Sequence, residues 1–379
     1  MQNTNVPTDW KIKKLKQVLS LLKDGTHGTH KDCAQGKFLL SAKDVVDGRV
    51  LCSEDSRIIS DEDFNSIHAK YKLQNKDIVL TIVGTVGRSA IINNYNQEYT
   101  FQRSVAILRP NESILSEFLY DQIQSNNFQN ELKKRQSVSA QPGVYLEDLG
   151  SLPCVVPPKE EQKKIAEILR TWDRAIEELT YLIAEKKELR KGLANRLLNV
   201  LTWNDIELSD LLDYEQPTKY LVTKILDYDA QKIPVLTANK AFVLGSTDDT
   251  TGVYSKQDCI IFDDFTTDMK YVDFKFKVKS SAIKILTPRE NVNLKFVFEQ
   301  MQRLKLPIGG HKRYWLSEYQ YLTIKIPDDD TQNKIVSILS KADSEIDLLN
   351  QRLDVLKEQK RGLMQKLLTG EIRVRVDVE

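Results

Sequence analysis

Residues 157–198, PPKEEQKKIAEILRTWDRAIEELTYLIAEKKELRKGLANRLL, and residues 327–368, PDDDTQNKIVSILSKADSEIDLLNQRLDVLKEQKRGLMQKLL, align without a gap at a fixed offset of 170. Fifteen of the 42 positions are identical, among them Pro157, Gln162, Ile165, Leu169, Asp173, Ile176, Leu179, Gly192 and Leu197. An internal repeat of this length decides the architecture before any local propensity does. In the first copy the seam runs Ile165, Leu169, Trp172, Ile176, Leu179, Ile183, Lys186, Arg190, Leu193, Leu197. In the second it runs Ile335, Leu339, Ala342, Ile346, Leu349, Leu353, Leu356, Lys360, Leu363, Leu367. Steps of three and four residues sustained this far describe a heptad seam. Each copy opens on proline and acidic residues, which suits a helix start through proline at the first turn and through the macrodipole. Two matched rods with one seam each predict an intramolecular antiparallel coiled coil, rather than two ordinary amphipathic helices lying on separate cores.

Outward from the rods the repeat fades but persists. Trp10, Leu15, Val18 and Leu19 face Trp203, Leu208, Leu211 and Leu212 at an offset of 193, and Leu39–Ala42 faces Val235–Ala238. Short β-branched runs at Asp77–Val83, Ser104–Leu108 and Cys259–Phe262 predict strands, and 115–135 and 293–305 look helical. The expected fold is therefore α+β: two mixed globules joined by two long helices, with a pseudo-twofold internal repeat. The expected boundaries are 1–156, 157–199, 200–326 and 327–379.

Composition narrows the function. The chain has 379 residues, 41% hydrophobic and 29% charged, a globular balance that excludes disorder as the main state. With 55 Lys+Arg against 54 Asp+Glu, the net charge of +1 excludes a strongly basic binder; any nucleic-acid contact must come from local patches or a partner. Four scattered cysteines, no long apolar run and no basic-then-apolar leader at the start predict reduced thiols and a cytoplasmic location. No methylase [DNS]-P-P-[YF], Walker A, G-x-S-x-G or H-E-x-x-H motif occurs. Pro327-Asp328 with Glu358-Gln359-Lys360 mimics a nuclease pattern, but its second half sits inside a rod, where no cleft gathers metal ligands.

Polar loops between the strands carry the candidate contacts. The first is Asp24-Gly25-Thr26-His27-Gly28-Thr29-His30-Lys31; its histidines and Cys33 lack a fourth ligand at zinc spacing, so a loop presenting donors is favoured. Gly84-Thr85-Val86-Gly87-Arg88 lacks P-loop spacing and reads as a tight turn unless DNA is present, when Arg88 would meet a phosphate. Lys133-Lys134-Arg135-Gln136-Ser137 and Gly309-Gly310-His311-Lys312-Arg313-Tyr314 are basic stretches at matching places ahead of the two rods. Arg103, Asn239, Lys240, Thr266, Thr267 and Lys270 complete the candidate set.

These residues resemble the specificity subunits of type I restriction-modification systems over essentially the whole chain. Pro157 to Ile165, with Glu161 and Gln162, is similar to the start of that family's central helix, and Pro327 to Ile335 to its distal counterpart. Asp24–His27 with Asp77 through Arg88 resembles one recognition domain; Val235–Lys240, Phe262–Thr266 and Val278–Ala282 resemble another variant of it. His30 stands where the family often has proline, and Thr331 where glutamate is usual. The resemblance implies a non-catalytic subunit without a cofactor of its own. Its two recognition domains would each read one half of a split double-stranded DNA target. Its helices would hold the spacing and bind two methyltransferase subunits, which carry S-adenosylmethionine; two restriction subunits would bring ATP, Mg and cleavage. The competing readings are a specificity component of a related split-site, type IIB-like modification system, and a coiled-coil scaffold with no DNA role.

Overall fold

The protein, described by a computed structural model over residues 6–137, 142–239, 241–304 and 313–376, divides into two compact units. The first comprises Met1–Thr180 with Gln351–Glu379, the second Tyr181–Asn350.

The first unit is built on an antiparallel sheet of β1 (Leu19–Asp24), β2 (Ile78–Thr81), β3 (Ser89–Ile91) and β4 (Val105–Pro110), in spatial order β1-β4-β2-β3. Its strands read as continuous apolar runs because both faces are covered. Ile78, Leu80, Ala106 and Leu108 face one core with Phe118 and Leu119 of α1 (Ser116–Gln124). Val79, Val105 and Ile107 face a second core with Leu39, Ile59 and Phe64. A smaller sheet, Arg57–Ile59, Lys37–Leu40 and Tyr99–Phe101, closes that second side.

The second unit repeats this plan: β5 (Leu212–Glu215), β6 (Cys259–Asp263), β7 (Met269–Val272) and β8 (Ile283–Pro288) pair in the order β5-β8-β6-β7. Ile260, Phe262 and Leu286 face one core, Cys259, Ile261, Ile283 and Ile285 the other.

Two long helices follow the globules in sequence: α2 (Lys159–Leu198, 40 residues) and α4 (Asp329–Thr369, 41 residues), with the shorter α3 (Leu294–Met301) between them in the chain. Within the first unit the early part of α2 runs antiparallel to the late part of α4, where Lys360 Nζ meets Asp173 Oδ1. Within the second, the late part of α2 runs antiparallel to the early part of α4: Arg190 bonds Asp343 at 2.8 Å and Lys186 Nζ lies 2.6 Å from Glu345. Of the predicted seam, Ile165, Leu169, Leu179, Ile183, Ile335, Leu339, Ile346 and Leu353 are buried, and Trp172, Ile176, Leu349 and Leu356 half-buried.

The motif that opens each long helix has a mechanical reason. Gln162, 0% exposed, accepts at Oε1 from the Leu115 N–H (2.8 Å) and donates through Nε2 to the carbonyls of Ser113 (3.0 Å) and Pro157 (2.9 Å). Among the described residues, its repeat partner Gln332 donates only to Pro327 O and, at 3.4 Å, to Asp329. Glu161 receives the Arg373 guanidinium, which also clamps Asp9. Thr331, in the place of that glutamate, instead donates through its N–H and Oγ1 to Asp328, whose carboxylate caps the helix start.

Candidate nucleic-acid interface

In an antiparallel sheet the end of one strand lies beside the start of the next, so loops gather at one edge. β1 ends at Asp24, β4 begins at Val105, β2 ends at Thr81 and β3 begins at Ser89; their paired register brings all four to the same edge. The Arg103 N–H donates to Thr26 O (3.0 Å), the Ile82 N–H to Ser104 O (2.9 Å) and the Gly84 N–H to Pro142 O (3.0 Å). Ser137 donates its N–H to Gly143 O, and Gln129 Nε2 to Gly87 O (3.0 Å), which ties the helix Asn126–Lys134 to the same hairpin. Thr26, Thr85, Arg88, Arg103 and the 133–137 stretch are thus assembled on one edge of the first unit.

Their side chains differ in readiness. His27 is exposed with Asp24 as its partner, and Thr29 and Lys31 are exposed. His30 turns inward, 3.0 Å from Thr26 Oγ1 at one ring nitrogen and 3.0 Å from Asp63 Oδ1 at the other. With Arg57 bonded to His30 O and Asp32, it pins the loop where the family pattern has proline. Lys134 and Arg135 both grip Glu131 and hold its carboxyl well below the usual range, so they are partly engaged already. Gln136 is half-buried. By contrast Lys31, Arg88, Arg103 and Lys133 have no side-chain ion pair or hydrogen bond among the described residues.

The second unit has the same edge. Gln216 follows β5, residues 264–268 join β6 to β7, and residues 280–282 precede β8. The hairpin 264–268 therefore occupies the place of 82–88, although the two share no sequence. Thr266 Oγ1 lies 3.0 Å from Asp268 Oδ2 and 3.3 Å from Asn239 Oδ1, two acceptors for its one proton, and Thr267 adopts a positive φ of 59°. Lys270 lies within β7, half-buried, and Arg313 is exposed; neither has a side-chain partner among the described residues. Tyr314 is 1% exposed, so its ring belongs to the core rather than the surface. Lys240, His311 and Lys312 lie outside the described residues.

Sequence reasoning missed the charges underneath. Arg190 bridges Asp343 and Glu299 of α3 (2.6 and 3.0 Å), and the matching Asp121 of α1 is buried beside Asp173 and Lys360. Lys284 interrupts the buried run Ile283–Leu286, a signal readable in the sequence because a charge inside a two-faced strand demands a partner.

Among the described residues, each of the two like units thus presents cations without side-chain partners and polar loops along one sheet edge, and each is followed in the chain by a copy of the repeated helix. The chain belongs to the type I restriction modification DNA specificity domain family, whose model matches residues 7–185 and again 201–358.

Among its relatives, the EcoR124I/EcoR124II specificity subunit of Escherichia coli is 42% identical over 194 residues, 47% of this chain and 48% of that protein. The chain thus spans about half the length of that relative in the match. A putative MjaX specificity subunit of Methanocaldococcus jannaschii is 22% identical across 98% of this chain and 95% of its own length. The fold is similar to that of the S subunit from M. genitalium, with TM-score 0.59, 16% identity and 97% of each chain covered. It is similar also to a chain from a structure on type I R-M complex assembly and conformational transition, with TM-score 0.60, 14% identity and 97% and 99% coverage.

Proposed function

We propose that each globule reads one half of a bipartite double-stranded DNA target through the loops at its sheet edge, while the paired helices hold the spacing and dock methyltransferase subunits. The carrying observation is the unpaired Arg88 and Arg103 on the first edge and Arg313 on the second, beside hydroxyls and amides suited to bases and phosphates. A near-neutral chain neutralises few phosphates, so tight binding draws on partners. Two methyltransferase subunits per chain, carrying S-adenosylmethionine, and two ATP- and Mg-dependent restriction subunits complete the assembly, in the cytoplasm. Besides the charged Lys187, Glu188, Lys357 and Glu358, the helix surfaces carry exposed Tyr181, Leu182, Leu189 and Leu348 in the second unit and Val355 in the first, apolar area of the kind a protein partner covers. Lys186 is taken up by Glu345 instead. Among the described residues no helix is long and apolar enough to cross a membrane.

The test exchanges residues 1–155 for the same region of a relative and maps methylated sites in a host expressing the partners. One half-site changes and the other stays; a change in both, or in neither, overturns the reading.

A further inference from the structure

The edge of the second unit rests on a charge pair that the first unit lacks. Leu80 pairs with Ala106 across β2 and β4, and Phe262 pairs with Lys284 across β6 and β8. Ile82 and Asp264 stand two residues beyond, and each accepts at its main-chain carbonyl from an N–H of the following segment: Val144 to Ile82 at 2.8 Å, Tyr314 to Asp264 at 2.9 Å. By this register Ile82 and Ala106 of one unit correspond to Asp264 and Lys284 of the other. All four are buried, Asp264 at 1% and Lys284 at 0% exposure. The first unit demonstrates that this fold closes the position with two apolar side chains. Burying two charges instead costs desolvation that their attraction offsets only with good geometry, and the geometry here is incomplete. Lys284 Nζ stands 3.4 Å from Asp264 Oδ2 without hydrogen-bond geometry, and Oδ2 has no hydrogen-bond partner. Stability is therefore a poor reason for the pair.

Its connections supply a better one. Asp264 Oδ1 accepts from the Trp315 N–H at 2.8 Å, and Lys284 Nζ donates to Gln216 Oε1 at 3.0 Å. Asp263, adjacent, accepts at Oδ1 from the N–H groups of Phe265 (2.9 Å) and Thr266 (3.0 Å). Three segments of the edge converge on the pair: the chain after β5, the hairpin bearing Thr266 and Thr267, and the segment led by Arg313. Resting on the proposed reading of DNA, we propose that Asp264 and Lys284 are positioning residues for the second half-site. They fix the mutual placement of the 264–268 hairpin and the 313–315 segment, so that base discrimination in that half-site depends on a buried pair that touches no base.

The test uses the chain assembled with its methyltransferase partners and duplexes carrying the wild-type methylated sequence, the same sequence altered in one half-site or the other, or no site. The double variant Asp264→Ile/Lys284→Ala installs the first unit's apolar pair. Expected are a folded complex with a modestly lowered melting temperature, because the buried Trp315 N–H loses its acceptor, unchanged binding to site-free DNA, and a loss of about tenfold in discrimination at the second half-site, within the range one base contact supplies, with the first half-site unaffected. Gln216→Leu, at an exposed position, removes the lysine's acceptor without entering the core and gives a smaller loss in the same half-site. Asp264→Asn, which keeps the acceptor for Trp315, restores part of the discrimination. Unchanged discrimination in a folded double variant, or equal losses in both half-sites, overturns the proposal. If the double variant does not fold, unchanged discrimination in Gln216→Leu overturns it. A wild-type complex with no bipartite site overturns the underlying reading instead.

Discussion

At the scale of residues, the two helix hubs show how one substitution redistributes charge. Arg190 offers a fork that satisfies Asp343 and Glu299 together; at the equivalent place Lys360 is a point charge engaged by Asp173. The matching Asp121 is left buried, and burial with the neighbouring Asp173 pushes its carboxyl up to about 8, against the pull of Lys360. Below about pH 4 this carboxyl is protonated in the folded and unfolded states alike. As pH rises toward 8 the unfolded chain releases the proton that the folded chain keeps, so stability is progressively lost. Asp121→Asn removes the loss: its unfolding free energy should gain on that of wild type between pH 5 and pH 8.5, by up to a few kcal/mol. A margin equal at both pH values would contradict this. On the edge, Arg88→Ala distinguishes base from phosphate contact. A base contact costs about 1–3 kcal/mol at one position of one half-site, whereas a phosphate contact weakens all sequences and lowers the salt slope by about one.

Among the elements, the joints between globule and rod carry unequal weight. Removing Gln162 strands a buried N–H and two carbonyls, whereas Gln332 makes fewer bonds, so Gln162→Ala should cost about 2–4 kcal/mol and Gln332→Ala about 1. Urea unfolding followed by probes in each unit measures the difference. In the seam, Ile176→Asp with Ile346→Asp places an unpaired charge in each helix pairing and should cost several kcal/mol; an unchanged melting temperature would exclude the pairing. The rods were legible in the sequence because a heptad is a local pattern repeated many times. The strands were legible from β-branched runs such as Ile78–Leu80. Equivalence of the two hairpins, 82–88 and 264–268, was not legible: they align through strand register, which depends on partners distant in sequence, and their residues share nothing. Nor does composition tell an exposed tyrosine from Tyr314, which packs inward beside Trp315.

For the whole molecule, the proposed docking of one methyltransferase subunit per repeat predicts that the mass of the co-expressed complex corresponds to two methyltransferase chains per copy. A clean one-to-one complex would contradict that proposal. The three hydrogen bonds of Gln162 bear on which globules this rod could carry. All three go to main-chain atoms, of Leu115, Ser113 and Pro157, so this joint is indifferent to the globule's side chains there, whereas Ile165 and Leu169 pack into its core and Arg170 pairs with Glu117. A different globule with the same backbone trace at Ser113–Leu115 would keep these bonds, but it would also have to supply an apolar face for Ile165 and Leu169 and a carboxylate for Arg170.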